Sequence, residues 1–321
     1  MKPLIWIIDE EWSDYEEETR ILKEAFPECT IRHSGNDYLA DLEAFGKDAD
    51  AILCQVYIDM PKETIEQLTR CQIIAVYGGG YDRVAIDAAR EKQITVTFVP
   101  GYCVDDVSDY VIAAIYYFNK NLSYYFQVAD QGPWGAQAAG QLNRRIRSST
   151  LLIIGLGRIG QAVAEKALRM GMTVLACDPR FDESKEGAHG IRHVSLDEGL
   201  AAADFVTIHT KYDTNVHHLL SAAQFKQMKQ TAYIINTSRG KVINEADLIE
   251  AVQTDTIAGA MLDVISEEPP TGSEPIFHVP NIHVTPHVSY LSTESLNTLK
   301  QRAAGNVVAI LQGKKSEDAV F

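Results

Sequence analysis

Leu151-Leu152-Ile153-Ile154-Gly155-Leu156-Gly157-Arg158-Ile159-Gly160 reads as a buried strand that runs into a glycine turn and then a helix. A second apolar run, Met172–Cys177, ends at Asp178, 23 residues after Gly155. Strand, turn, helix and late acid together form a dinucleotide-binding pattern, far more specific than the glycines alone. Gly155 permits the tight turn, Gly157 lets backbone approach a pyrophosphate, and Gly160 allows close packing of the helix. The helix start offers unpaired N–H groups and a positive dipole end to phosphates. Asp178 is suited to accept hydrogen bonds from ribose hydroxyls and would repel a 2′-phosphate. NAD(H) is therefore expected over NADP(H), a preference that nearby Arg180 moderates.

Outward from this unit the rhythm is β/α throughout. Downstream, strands are expected at Leu151–Ile154, Thr173–Ala176, Phe205–His209, Tyr233–Asn236, Ala258–Leu262 and Ile282–Val284, the six of a doubly wound domain. Upstream, residues 1–99 alternate apolar runs (Leu4–Ile8, Ala51–Cys54, Gln72–Val76, Ile94–Val96) with amphipathic stretches, as in a second parallel sheet. One long helix is expected from Val104 to about Val128. Its tyrosines and phenylalanines exceed the needs of one buried face, and some of them suit a subunit interface. Residues 129–149 look irregular. A last helix, Thr293–Leu311, is expected to return to the first domain. The expected architecture is α/β: a flavodoxin-like substrate domain (1–99 with 286–321) and a Rossmann NAD domain (100–285), with a cleft between them and hinges near 100 and 285.

Bulk properties narrow the class. With 29 basic and 44 acidic residues the net charge is −15, which argues against nucleic acid and anionic membrane surfaces as partners. No apolar run is long enough to span a bilayer. The start, Met1–Asp9, reads as a first strand rather than a signal segment, because Asp9, Glu10 and Glu11 follow at once. The five scattered cysteines lack metal or disulfide spacing, so free thiols in a cytoplasmic, reducing setting are expected, with no metal site.

In open α/β sheets, chemistry gathers at the carboxyl ends of strands. Three such ends carry it here: Asn236-Thr237-Ser238-Arg239-Gly240, Leu262-Asp263-Val264 with Glu267-Glu268-Pro269 beyond, and Thr285-Pro286-His287. Reducing a 2-keto acid beside a nicotinamide needs a carboxylate anchor, a carbonyl-polarising group and a proton donor. Arg239 supplies a forked cation for the first two. His287 suits the third, with Glu268 (or Glu267) stabilising its imidazolium form. His209, also at a strand end, is expected to line the cofactor site, whereas His283 reads as structural.

These four motifs, in this order and along nearly the whole chain, resemble the D-isomer-specific 2-hydroxyacid dehydrogenase family. The resemblance implies catalytic roles for Arg239, Glu268 and His287. It implies dinucleotide contacts from Arg158, Ile159, Asp178, Thr210 and Thr237, and a nicotinamide contact from Asp263. The family's first-domain loop is similar to Gly78-Gly79-Gly80-Tyr81-Asp82, which implies that Tyr77, Gly78 and Gly79 hold a substrate carboxylate through backbone N–H groups. It further implies a homodimer formed through the NAD domain. Within the family, His209–Leu220 is similar to the C-terminal-binding-protein corepressors and their bacterial dehydrogenase relatives. Tyr290, where that branch carries tryptophan, is a further candidate substrate contact. Val76 stands where relatives often place an arginine, which weakens the case for a phosphorylated substrate. The expected reaction interconverts a small 2-keto acid and a D-2-hydroxy acid. An NAD(H)-sensing, dimerising regulatory protein with little turnover is the alternative.

Overall fold

The computed structural model describes residues 2–140, 142–185 and 187–321. They form two compact units, Met1–Tyr102 with Leu291–Phe321, and Cys103–Tyr290.

The first unit is built on five parallel strands: β1 (Leu4–Ile8), β2 (Thr30–Ser34), β3 (Ala51–Gln55), β4 (Ile73–Tyr77) and β5 (Thr95–Thr97). Their order, β2-β1-β3-β4-β5, is the flavodoxin-like arrangement. β3 and β4 are buried along their whole length, as parallel strands covered on both faces must be. One face carries the helices Glu16–Ala25 and Thr293–Leu311, packed on one another, and the other carries Lys62–Gln67 and Ile86–Glu91. The sequence reading passed over β2. Its Thr-Ile-Arg-His-Ser run has no apolar stripe, and pairing with β1 along an open edge is what makes it a strand. The chain's end is tied down by Phe98 N–H donating to Asp318 O and by the Arg302–Asp318 ion pair, part-buried at 2.5 Å.

The second unit has seven parallel strands: β6 (Thr150–Ile154), β7 (Thr173–Cys177), β8 (Ile191–His193), β9 (Phe205–Ile208), β10 (Tyr233–Asn236), β11 (Gly259–Leu262) and β12 (Ile282–Val284). They run in the order β12-β11-β10-β9-β6-β7-β8. The direction of winding reverses between β6 and β9, so their carboxyl ends form the switch point at which ligands bind in such sheets. The additional strand, β8, is short and exposed at two of its three residues, which left no periodicity to read. The unit extends to Tyr290, beyond the 285 boundary drawn from the sequence. The reason is that His287, Val288 and Ser289 hydrogen-bond to Asp263.

The expected single helix is two, Val104–Asn119 and Leu122–Val128. Asn121 adopts a left-handed conformation (φ 51°) and ends the first. Asn143 Nδ2 then donates to the carbonyls of Phe118 and Asn119 at the end of that helix. The first helix packs on Arg158–Arg169, where Lys166 Nζ donates to Ser108 Oγ at 2.8 Å.

The five cysteines are thiols rather than disulfides, and burial pushes those of Cys54 and Cys71 up to about 12. Among the described residues no helix is long and apolar enough to cross a membrane. Nor do three or more His, Cys, Asp or Glu side chains gather as a metal site.

Candidate active site

The glycine turn sits at the switch point. Gly155 leaves β6 with φ +93°, and a Cβ there would stand 2.8 Å from the His209 carbonyl and 2.9 Å from Thr210 N. Glycine is thus required twice over, by conformation and by approach. Gly160 brings the helix Arg158–Arg169 down onto the turn, its hypothetical Cβ only 2.3 Å from Gly155 O. Gly157, at the helix start, has nothing within 4 Å on that side, which leaves open space before the first helical N–H groups. Arg158 is exposed and Ile159 half-buried beside it.

Asp178, at the end of β7, is buried and braces the same turn. Its Oδ2 accepts from Leu156 N–H and its Oδ1 from Arg180 N–H, each at 2.7 Å. Across the switch point, the Thr210 and Thr237 hydroxyls are buried and have no hydrogen-bond partner among the described residues. An unsatisfied buried hydroxyl costs about 1–3 kcal/mol. The residues present therefore fit a dinucleotide: open space beside Gly157 at the helix start, and two buried hydroxyls without partners among the described residues.

His209 is placed differently from the expectation that it lines the cofactor site. Its backbone packs on Gly155, while its ring turns back along β9, with Nε2 3.0 Å from Thr207 Oγ1. Burial pushes the imidazole down from 6.5 to about 3, so it is neutral in the folded chain at working pH. Between these values the unfolded chain binds a proton that the folded chain refuses. Stability is complete above pH 6.5 and falls as pH drops toward about 3, by up to about 1.4 kcal/mol per pH unit. Replacing His209→Gln should flatten this acid branch in urea titrations at neutral and acidic pH. Parallel pH dependence of the two proteins would show that the group does not titrate this way.

The catalytic candidates converge at the ends of β10, β11 and β12. His287 Nδ1 lies 3.2 Å from Glu268 Oε2, and the two side chains are only 18% and 14% exposed. Nδ1–H pointing at the carboxylate directs Nε2 the opposite way. Glu268 is itself held, with Oε1 accepting from Ile265 N–H at 3.1 Å. The histidine's backbone is in the left-handed region (φ 53°). Its N–H donates to both Asp263 O and Thr285 O at 2.9 Å, so the turn over Pro286 is pinned to β11. Arg239 follows β10; Asn236 Nδ2 donates to its carbonyl, and its own Nη1 donates to Ser238 O. Glu267, the other acid considered from sequence, is exposed and paired with Lys241, so Glu268 is the partner of His287.

Asp263, expected at the nicotinamide, is nearly inaccessible and accepts three hydrogen bonds from the chain. Thr285 Oγ1 and Val288 N–H reach Oδ1, and Ser289 N–H reaches Oδ2. It thus holds the histidine segment in place. Thr285 Oγ1 also lies 2.6 Å from the hydroxyl of Tyr110, whose pKa burial pushes up to about 12. Sequence reading gave no bracing role to Tyr110 or Ser289, since the link from Tyr110 to Thr285 spans 175 positions and leaves no local signature. Tyr290 is buried, its ring edge-on to His287 at 6.4 Å.

In the first unit, the Gly78–Gly79 turn follows β4, and the Gly78 carbonyl accepts from Val99 N–H at 2.8 Å. The Tyr77 side chain is 1% exposed and packs edge-on against Trp12, which leaves its backbone N–H as the group available to a substrate carboxylate.

A family model described as D-isomer specific 2-hydroxyacid dehydrogenase, NAD binding domain, matches residues 112–289. The chain belongs to the D-isomer-specific 2-hydroxyacid dehydrogenase family. It is 34% identical over 275 residues, covering 85% of its length and 86% of the relative's, to a Staphylococcus aureus (strain MRSA252) protein named "Putative 2-hydroxyacid dehydrogenase". Its fold is similar to that of a D-lactate dehydrogenase from Aquifex aeolicus complexed with NAD and lactic acid. That structure has a TM-score of 0.88, 25% identity and coverage of 99% and 98% of the two chains. The TT0316 protein from Thermus thermophilus is comparable, with a TM-score of 0.86, 27% identity and coverage of 99% and 100%. As a member of this family the chain is an NAD-dependent oxidoreductase of the D-2-hydroxyacid dehydrogenase type.

Proposed function

We propose that this dehydrogenase interconverts a small 2-keto acid and the corresponding D-2-hydroxy acid, with Arg239, Glu268 and His287 as its catalytic residues. The observation that carries the reading is the half-buried His287–Glu268 pair, oriented by backbone at both ends. Bound NAD(H) would be held by the Gly155–Gly160 turn, Asp178, Thr210 and Thr237, and would exchange hydride with the substrate's second carbon.

The chain's own residues then have distinct tasks. Arg239 holds the substrate carboxylate and polarises the neighbouring carbonyl with a permanent forked charge. The backbone N–H groups of Gly78 and Gly79 are further proposed donors to a substrate carboxylate. His287 Nε2 delivers a proton to the carbonyl oxygen during reduction and removes it during oxidation. Glu268 keeps the ring oriented and stabilises its cationic form. Asp263, Thr285 and Tyr110 fix the segment that carries the histidine.

We also propose a homodimer formed through the second unit. Phe126, Trp134 and Leu142 are 73%, 79% and 81% exposed, an apolar surface that a second copy would cover. The thiol state of the cysteines suits the cytoplasm. The test is NADH consumption with pyruvate, glyoxylate, hydroxypyruvate, phenylpyruvate, 2-ketoisocaproate and phosphohydroxypyruvate, on protein whose mass is first measured by light scattering. Turnover of a non-phosphorylated acid by a two-chain species is the expected result. Tight NADH binding with no acid reduced would favour the nucleotide-sensing alternative, and a monomer would end the dimer proposal.

A further inference from the structure

Buried polar atoms of the first unit collect beneath one end of its sheet. Glu18, on the helix Glu16–Ala25, is wholly buried, and neither carboxyl oxygen has a hydrogen-bond partner among the described residues. The same holds for the Tyr77 hydroxyl and for Gln55 Nε2. These groups are neighbours. Gln55 and Tyr77 are register partners at the ends of β3 and β4, and the Glu18 carboxyl lies toward the Tyr77 hydroxyl, near enough for each to act on the other's ionisation. The Trp12 ring covers Tyr77 edge-on at 4.6 Å. An isolated carboxylate in such a place would be very costly, whereas a neutral carboxyl can both donate to and accept from a phenol.

Tyr77 is the last residue of β4, and the turn begins at the next residue. On the other side Val56 closes on Gly78, its Cγ1 only 2.2 Å from where a Cβ would sit. The turn is therefore held between Val56 and the buried tyrosine. We infer that Glu18 and Tyr77 are positioning residues for the substrate: a buried carboxyl against a phenol sets the exit of β4, and with it the N–H groups of Gly78 and Gly79. This rests on the proposed role of that turn as a carboxylate holder.

The surrounding charges bear on when the pair works. Asp14 opposes ionisation of Glu18, Lys300 from the helix Thr293–Leu311 favours it, and Asp9, hydrogen-bonded to Tyr15, opposes ionisation of Tyr77. Burial is the largest influence and pushes Glu18 up from the usual carboxylate range. A raised carboxyl contributes fully below its unfolded pKa, and the contribution is lost as pH rises through the folded one. The turn should loosen as pH rises through that folded value.

The experiment uses the full chain with Glu18→Gln, Glu18→Leu and Tyr77→Phe. It measures the KM for the preferred keto acid, the KM for NADH, kcat, and deuterium uptake over residues 78–82 without substrate. Glu18→Leu and Tyr77→Phe should raise the keto-acid KM about tenfold. Both should leave kcat and the NADH KM within about twofold. Uptake over 78–82 should quicken in both, with the second unit's strands unchanged. Glu18→Gln, which keeps the shape and cannot ionise, should stay within about twofold of the wild-type KM at the acidic end of the profile and lose the rise in KM that wild type shows as pH increases. If Glu18→Leu does not fold, Tyr77→Phe, one oxygen smaller, decides the matter. Lower thermal stability with unchanged KM and uptake, or Gln behaving like Leu, would overturn the inference. If wild type reduces no keto acid, the proposed function fails while uptake still decides on positioning, and unchanged uptake rejects it.

Discussion

Replacing His287 by Asn should leave a folded protein that binds NADH and reduces its keto acid about 10²–10⁴-fold more slowly. Asparagine is the informative choice. His287 occupies the left-handed region (φ 53°), where asparagine is among the best tolerated non-glycine residues. Its backbone N–H can still donate to Asp263 O and Thr285 O, so the turn over Pro286 should survive. What the variant removes is the ring that accepts support from Glu268 and carries the proton. The measurements are steady-state kcat and NADH affinity by fluorescence titration. A drop confined to kcat assigns the proton to His287. An unchanged kcat would mean that another group supplies it, and loss of NADH binding would mean that the residue is structural. Glu268→Gln should cost less, because it keeps the shape and removes only the charge opposite Nδ1.

Gly240→Ala should cost about 3 kcal/mol, at the upper end of overpacking effects. For a unit of this size that corresponds to a fall in Tm of roughly 6–12 °C. A Cβ on Gly240 would lie 1.9 Å from the Ile265 carbonyl carbon and 2.4 Å from Ser266 N, and the atoms in its way are backbone. The displacement cannot stay local. Ile265 N–H holds Glu268, Ser266 N–H is held by Glu245, and Arg239 immediately precedes the glycine. Activity should therefore fall with stability, because two proposed catalytic residues, Arg239 and Glu268, shift together. Gly157→Ala is the contrast: with open space on that side, stability should change little while NADH binding weakens. Calorimetry and NADH titration on both proteins check this. A stable, active Gly240→Ala would show that the close approach to Ile265 relaxes at little cost.

Much of the site was legible because strand ends carry short motifs whose residues act close to where they stand in sequence. Gly155–Gly160 follows its strand, Arg239 follows β10, and His287 follows β12, so local order already places each at the carboxyl edge. The buried parallel strands were legible for the same reason: Leu151–Ile154 and Ala51–Cys54 are apolar without alternation, as strands covered on both faces must be. β2 and β8 were not, since their polar residues face solvent at sheet edges and pairing alone defines them.

By itself, the sequence determined two β/α units, a dinucleotide-type turn and the chemical types of the candidate catalytic groups, because these depend on periodicity and on residues adjacent in the chain. Tertiary structure alone decided how those groups are held. It chose Glu268 over Glu267 by burying one and exposing the other beside Lys241. It turned His209 toward Thr207 and committed Asp263 to Thr285, Val288 and Ser289. It also brought Glu18 to Tyr77 across 59 positions. Each of these depends on burial and on partners distant in the chain, and a buried polar group's state is set by what surrounds it in space, which no local pattern records.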